Sequence, residues 1–81
     1  MKNLQFMVAL INNEDVLFVF TKDTGITLQF VDDRWEISAY MYYQWVNDIN
    51  SYYCSYEYAM EITNNITPFE ELEKCGYFVD K

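Results

Sequence analysis

Between Leu4 and Ile37 apolar side chains recur at every second position in short runs divided by turn-forming residues, which commits the first half of the chain to an antiparallel meander. Leu4, Phe6, Val8 and Leu10 alternate with Gln5, Met7, Ala9 and Ile11, the pattern of a strand with one strongly apolar face. Asn12-Asn13-Glu14-Asp15 reads as a turn. Val16 to Thr21 is β-branched and aromatic on both faces, as suits a central strand, and Lys22-Asp23-Thr24-Gly25 closes it with a glycine available for positive φ. Ile26, Leu28 and Phe30 alternate with Thr27, Gln29 and Val31 in a third strand. Asp32-Asp33 then forms a tight turn, and Trp35 and Ile37 flank Glu36 in a short fourth strand.

From Ser38, read as an N-cap, the period changes. Ala39, Tyr42, Trp45, Val46 and Ile49 fall at helical spacing opposite Gln44, Asn47, Asp48 and Asn50, which predicts a helix at about 39–50. Tyr40, Met41 and Tyr43 make the segment apolar on several sides, so a long strand is the alternative. Cys54, Tyr56, Tyr58, Met60 and Ile62 alternate with Ser55, Glu57, Ala59, Glu61 and Thr63, predicting a half-buried strand with its carboxylates outside. Thr67-Pro68-Phe69-Glu70 supplies an N-cap, a proline at the first helical position and an N3 glutamate. The predicted helix runs to Cys75, with Phe69 and Leu72 inward, Glu70, Glu71 and Glu73 outward, and Gly76 as its stop. The expected fold is α+β: an antiparallel sheet of four to five strands in ββββ-α-β-α order, with one or two helices packed on one face. Eighty-one residues suffice for a single domain over 1–81, and a 52% hydrophobic composition supplies a core despite the net charge of -8.

Several kinds of chemistry lack their residues. There is no histidine, which removes Cys-His and Ser-His nucleophiles and the commonest group that titrates near neutrality. Glu57 and Glu61 would share one strand face, but four steps of ~3.3 Å place them about 13 Å apart, too far for an acid–base pair. An enzyme is therefore not expected. Cys54 and Cys75 are twenty-one residues apart without a His-Cys cluster, and Asp32-Asp33 and Asn12-Asn13-Glu14-Asp15 lack the alternating oxygen ligands of a calcium loop. The two glycines, Gly25 and Gly76, cannot build a phosphate-cradling loop. No metal or cofactor is expected, and both cysteines read as packed free thiols. Leu4 to Ile11 after Lys2 is a poor secretory signal, since Gln5 interrupts it and Asn12-Asn13-Glu14-Asp15 follows it; the cytoplasm is the expected compartment, that of the host if the chain is phage-encoded.

Charge and tyrosine carry the functional reading. Thirteen carboxylates face five cations, which disfavours direct binding of nucleic acid or of anionic membrane. Residues 32–73 sum to -8 with Arg34 as their one cation, and Asp32, Asp33, Glu36, Asp48, Glu57, Glu61, Glu70, Glu71 and Glu73 make up that acidic half. Eight tyrosines exceed what a small core absorbs, and Tyr40, Tyr43, Tyr52 and Tyr53 are the candidates for an exposed patch. Acidic solvation alone would explain the charge, yet a one-signed field costs self-repulsion and suits steering toward a basic surface. The expected function is thus an inhibitor of a basic, nucleic-acid-binding enzyme. In size, charge, aromatic content and lack of chemistry the chain is similar to the small acidic proteins with which phages disable host nucleases, among them anti-CRISPR and anti-restriction proteins, several of which mimic DNA. The alternatives are an immunity protein or antitoxin against a basic nuclease toxin, and a structural or regulatory subunit. Homodimerisation is compatible with each.

Overall fold

Asn12 and Asn13 both hold positive φ, 52° and 66°, the requirement of a type I′ turn, so the chain reverses within two residues. In the computed structural model, which describes residues 4–38 and 51–77, this turn joins strand β1 (Leu4–Ile11) to β2 (Glu14–Thr21). The turn is two residues shorter than the expected 12–15, because asparagine tolerates the left-handed region and Glu14 and Asp15 then enter the ladder opposite Ile11 and Leu10. Asp32 and Asp33, at φ 53° and 60°, repeat the device between β3 (Thr27–Val31) and β4 (Arg34–Ile37). The β2–β3 connection is a five-residue loop, 22–26, with Gly25 at φ 76°, closed by the Thr21 amide donating to the Ile26 carbonyl at 2.9 Å.

A fifth strand, β5 (Tyr52–Cys54), pairs with the free edge of β1, giving an antiparallel sheet in the order β4-β3-β2-β1-β5. Helices α1 (Tyr56–Ile62) and α2 (Phe69–Lys74) follow. The α+β class and the meander match the sequence reading. The strand expected over 54–62 does not form: pairing ends at Cys54, and Ser55 caps α1 by accepting from the Tyr58 amide at 3.0 Å. The alternation was misleading because a second period is written through it. Tyr56, Ala59, Met60 and Thr63 stand at i, i+3, i+4 and i+7, and the last three of these are buried. The expected helix over 39–50 lies outside the described residues. Ser38, expected as its N-cap, continues the β3–β4 ladder, its backbone amide donating a hydrogen bond to the Thr27 carbonyl at 3.0 Å.

Helix α2 begins one residue later than expected. The Pro68 carbonyl already accepts from the Leu72 amide at 2.9 Å, so Pro68 occupies the cap position and Glu70 falls at N2, out of register for a capping box with Thr67. Its end is as expected. Gly76 at φ 85° donates to Glu73, and Tyr77 donates to Leu72, the paired bonds of a Schellman motif. Asn64 and Asn65, both left-handed, close α1 in the same way onto Glu61 and Met60.

Both helices pack on one sheet face. Phe6, Val8, Leu17, Val19, Leu28 and Trp35 meet Ala59 and Met60 of α1 and Leu72 of α2. Fully burying a side chain of this size contributes about 1.5–3 kcal/mol relative to leaving it exposed. Trp35 sets its ring edge-on to Phe30 at 5.2 Å and Phe6 at 6.3 Å. Met7, Ala9, Phe18 and Phe20 form a second buried cluster on the opposite face with Ile11 and Val16 packed against it, which accounts for the apolar character of 16–21 on both sides.

Candidate functional site

In an up-and-down meander, alternate hairpins open at the same end of the sheet. The β1–β2 and β3–β4 turns therefore deliver Glu14, Asp15, Asp32 and Asp33 to one end, all four exposed. The β2–β3 loop at the other end carries Lys22 and Asp23, which offset one another. Sequence reasoning selected Asp32 and Asp33 but missed Glu14 and Asp15. The missing step was the parity of the strands: two turns separated by two strands share an end.

The second concentration of charge lies on the helical layer. Residues 51–77 carry five carboxylates and one lysine. Glu57 and Glu61 are not alternate residues of a strand; they stand at i and i+4 on the exposed side of α1, one turn apart. The separation of about 13 Å expected for a strand is thereby replaced by about 6 Å between neighbouring turns. On α2, Glu70 and Glu73 are exposed, while Glu71 is half-buried with Lys74 at 3.8 Å. Glu36 lies on edge strand β4, 3.5 Å from Arg34. Such exposed pairs contribute roughly 0–1 kcal/mol each and neutralise two carboxylates, leaving the rest of the excess facing solvent. Arg34, Glu36, Glu70 and Lys74 border an open groove of about 470 Å³ between β4 and α2, floored by Trp35.

The tyrosines divide. Tyr52 is opposite Val8 and Tyr53 opposite Met7, so successive β5 side chains project to opposite faces and the two cannot form one patch. Tyr40, Tyr43 and Asp48 lie outside the described residues. Tyr52 is instead joined on the helical face by Tyr58, which sequence reasoning had placed inward on a strand. Tyr52 and Tyr58 are 49% and 42% exposed and line the same groove. Hydrogen bonding of the Tyr52 hydroxyl toward Tyr58, followed by desolvation and by the charges of Tyr58, Asp15 and Cys54, raises the Tyr52 pKa above its ordinary 10.0. Together with Ile62 and Asp15 the two rings border a groove of about 270 Å³ over Val8, Leu17 and Phe30. Tyr56 turns inward, edge-on to Phe6 at 5.7 Å and stacked on Phe69 at 6.4 Å.

Cys54 and Cys75 are free thiols packed against the core, and burial pushes the Cys54 thiol above its ordinary pKa. Among the described residues no group of three or more carboxylates and thiols could hold a metal ion, and no helix is long and apolar enough to cross a membrane. No buried side-chain polar atom among them lacks a hydrogen-bond partner. Compared with known proteins, the chain matches no family model, no curated relative and no solved structure.

Proposed function

We propose that this chain is a stoichiometric inhibitor that binds the basic, nucleic-acid-binding surface of an enzyme, in the manner of phage anti-CRISPR or anti-restriction proteins and by partial mimicry of DNA. The observation that carries this reading is the polarised placement of charge. Glu14, Asp15, Asp32 and Asp33 at one sheet end, and Glu57, Glu61, Glu70 and Glu73 on the helices, form no ion pair with a described residue. Charge serving solubility alone has no need of this segregation, whereas a one-signed surface accelerates encounter with a basic partner by roughly 10–10³-fold. Exposed phenols among the carboxylates add rigid contact area with a polar tip.

The surface contacted would be that of a basic nuclease or its complex, with no nucleic acid or membrane bound directly. An immunity protein or antitoxin would use the same physics, and the identity of the captured enzyme distinguishes the two. A structural subunit is favoured by a different feature, Ile37, which is 67% exposed on edge strand β4. The decisive experiment is affinity capture of basic nucleases from a bacterial lysate at low and high salt, followed by competition between the purified nuclease's DNA and this chain. Displacement of DNA with affinity falling steeply as salt rises supports the inhibitor. Association that is indifferent to salt and to DNA overturns it and favours apolar assembly through β4.

A further inference from the structure

The groove bordered by Tyr52, Tyr58, Ile62 and Asp15 combines three properties. Its floor is apolar, formed by Val8, Leu17 and Phe30. Its rim holds the two phenols of Tyr52 and Tyr58, each roughly half exposed. One wall is the Asp15 carboxylate, which forms no ion pair with a described residue. At about 270 Å³ it is smaller than the ~300–1,000 Å³ of most cofactor and metabolite pockets and matches a single long side chain.

From these features we infer that the groove is a socket for one arginine side chain of a protein partner. The aliphatic stem lies along Val8, Leu17 and Phe30, and the guanidinium meets the phenol rings and Asp15. Arginine fits better than lysine, because its planar, weakly hydrated cation stacks on aromatic rings and pairs with a carboxylate through two parallel bonds. The larger groove between β4 and α2 does not compete for this role, since Arg34 and Lys74 already stand beside Glu36 and Glu71. Elements distant in sequence build the socket: β2 gives Asp15, β5 gives Tyr52, and α1 gives Tyr58 and Ile62.

This inference rests on the reading of the surface as a dock for a basic protein, but its test requires no such protein. N-acetyl-arginine methylamide, its neutral citrulline analogue and its norleucine analogue are titrated into the isotope-labelled full chain, and methyl and aromatic shifts are followed by NMR. The arginine compound is expected to saturate shifts at Val8, Leu17, Tyr52, Tyr58 and Ile62, about fivefold or more tightly than citrulline. Asp15→Asn should abolish that preference, and Tyr58→Ala should remove binding, each in a variant whose remaining spectrum reports the native fold. Equal binding of citrulline or norleucine overturns the socket, as does a response confined to other residues or no saturation at all. Arginine selectivity in a chain that inhibits no nuclease would leave the socket standing and sink the inhibitor reading. Nuclease inhibition without arginine selectivity would do the reverse.

Discussion

The indole Nε1 of Trp35 donates to the carbonyl of Ile66 across 2.8 Å, tying edge strand β4 to the segment between α1 and α2. The bond joins residues thirty-one positions apart and holds the helical layer in register over the sheet. Trp35→Phe keeps an aromatic ring against Phe6 and Phe30 but leaves the Ile66 carbonyl without this donor. Losing this part-buried hydrogen bond costs about 0.5–1.5 kcal/mol, and the loss of ring volume adds to it. Urea denaturation followed by far-UV circular dichroism should show a lower midpoint with an unchanged slope. A midpoint equal to that of the parent would mean that the bond contributes nothing to docking of the helices.

Asn13 sits at the second central position of a type I′ turn, where glycine is preferred and L side chains are strained. Asn13→Gly should stabilise the chain by about 0.5 kcal/mol, the relief of left-handed strain exceeding the added freedom of the unfolded state. Asn13→Val should destabilise it by about 1–2 kcal/mol, because a β-branched residue tolerates positive φ poorly. Thermal unfolding of both variants tests the turn type, and a valine variant as stable as the parent would exclude it.

The limits of the sequence reading follow from which signals are local. The strands through Ile37 were legible because each side chain's face is dictated by its immediate neighbours, and the burial of Phe6, Val8, Leu17 and Val19 follows that alternation. The segment 54–62 was ambiguous because its side chains satisfy periods of two and of 3.6 together. The deciding facts were the Ser55 cap and the Asn64-Asn65 stop, which mark helix ends. The grouping of Tyr52 with Tyr58 and Asp15 was not legible, since it depends on β5 joining β1 rather than β4, and no local pattern encodes which edge a returning strand takes.

Glu57 and Glu61 repel across one turn of α1. Glu61→Lys removes that repulsion and places a cation four residues after Glu57, the favourable order for a helical ion pair, each change being worth about 0.2–0.5 kcal/mol. The variant should melt about 2–6 °C higher while binding a basic target less tightly. Opposite movements of stability and affinity would identify Glu61 as a residue kept at a cost to the fold. If affinity is unchanged, α1 lies outside the interface.

Burial holds the Cys54 thiol above its ordinary pKa, so its thiolate is scarcer in the folded chain than in the unfolded one. In a Cys75→Ser background, Cys54 should react with a disulfide reagent at pH 8 at least several-fold more slowly in buffer than in denaturant. The sign for stability follows. A folded pKa above the unfolded value makes a contribution that is complete below the unfolded pKa and is lost as pH rises through the folded one. Equal rates in buffer and denaturant would show the thiol to be unprotected.

The same rule applied to Tyr52 yields a test of the rim of the groove. Hydrogen bonding of the Tyr52 hydroxyl, as donor, toward Tyr58 is the largest influence raising the Tyr52 pKa above 10.0, so the neutral phenol is favoured by the fold. The stability linked to it is complete below pH 10.0 and declines as pH climbs through the folded pKa. Tyr58→Phe keeps the ring but removes the hydroxyl, and the Tyr52 pKa should fall toward its ordinary value. Asp15→Asn should lower it by less, since that charge contributes less than the hydrogen bond. Titration of the Tyr52 ring carbons by NMR between pH 8 and 12 reads both shifts. A larger fall in Asp15→Asn than in Tyr58→Phe would mean that the carboxylate, and not the neighbouring phenol, governs Tyr52.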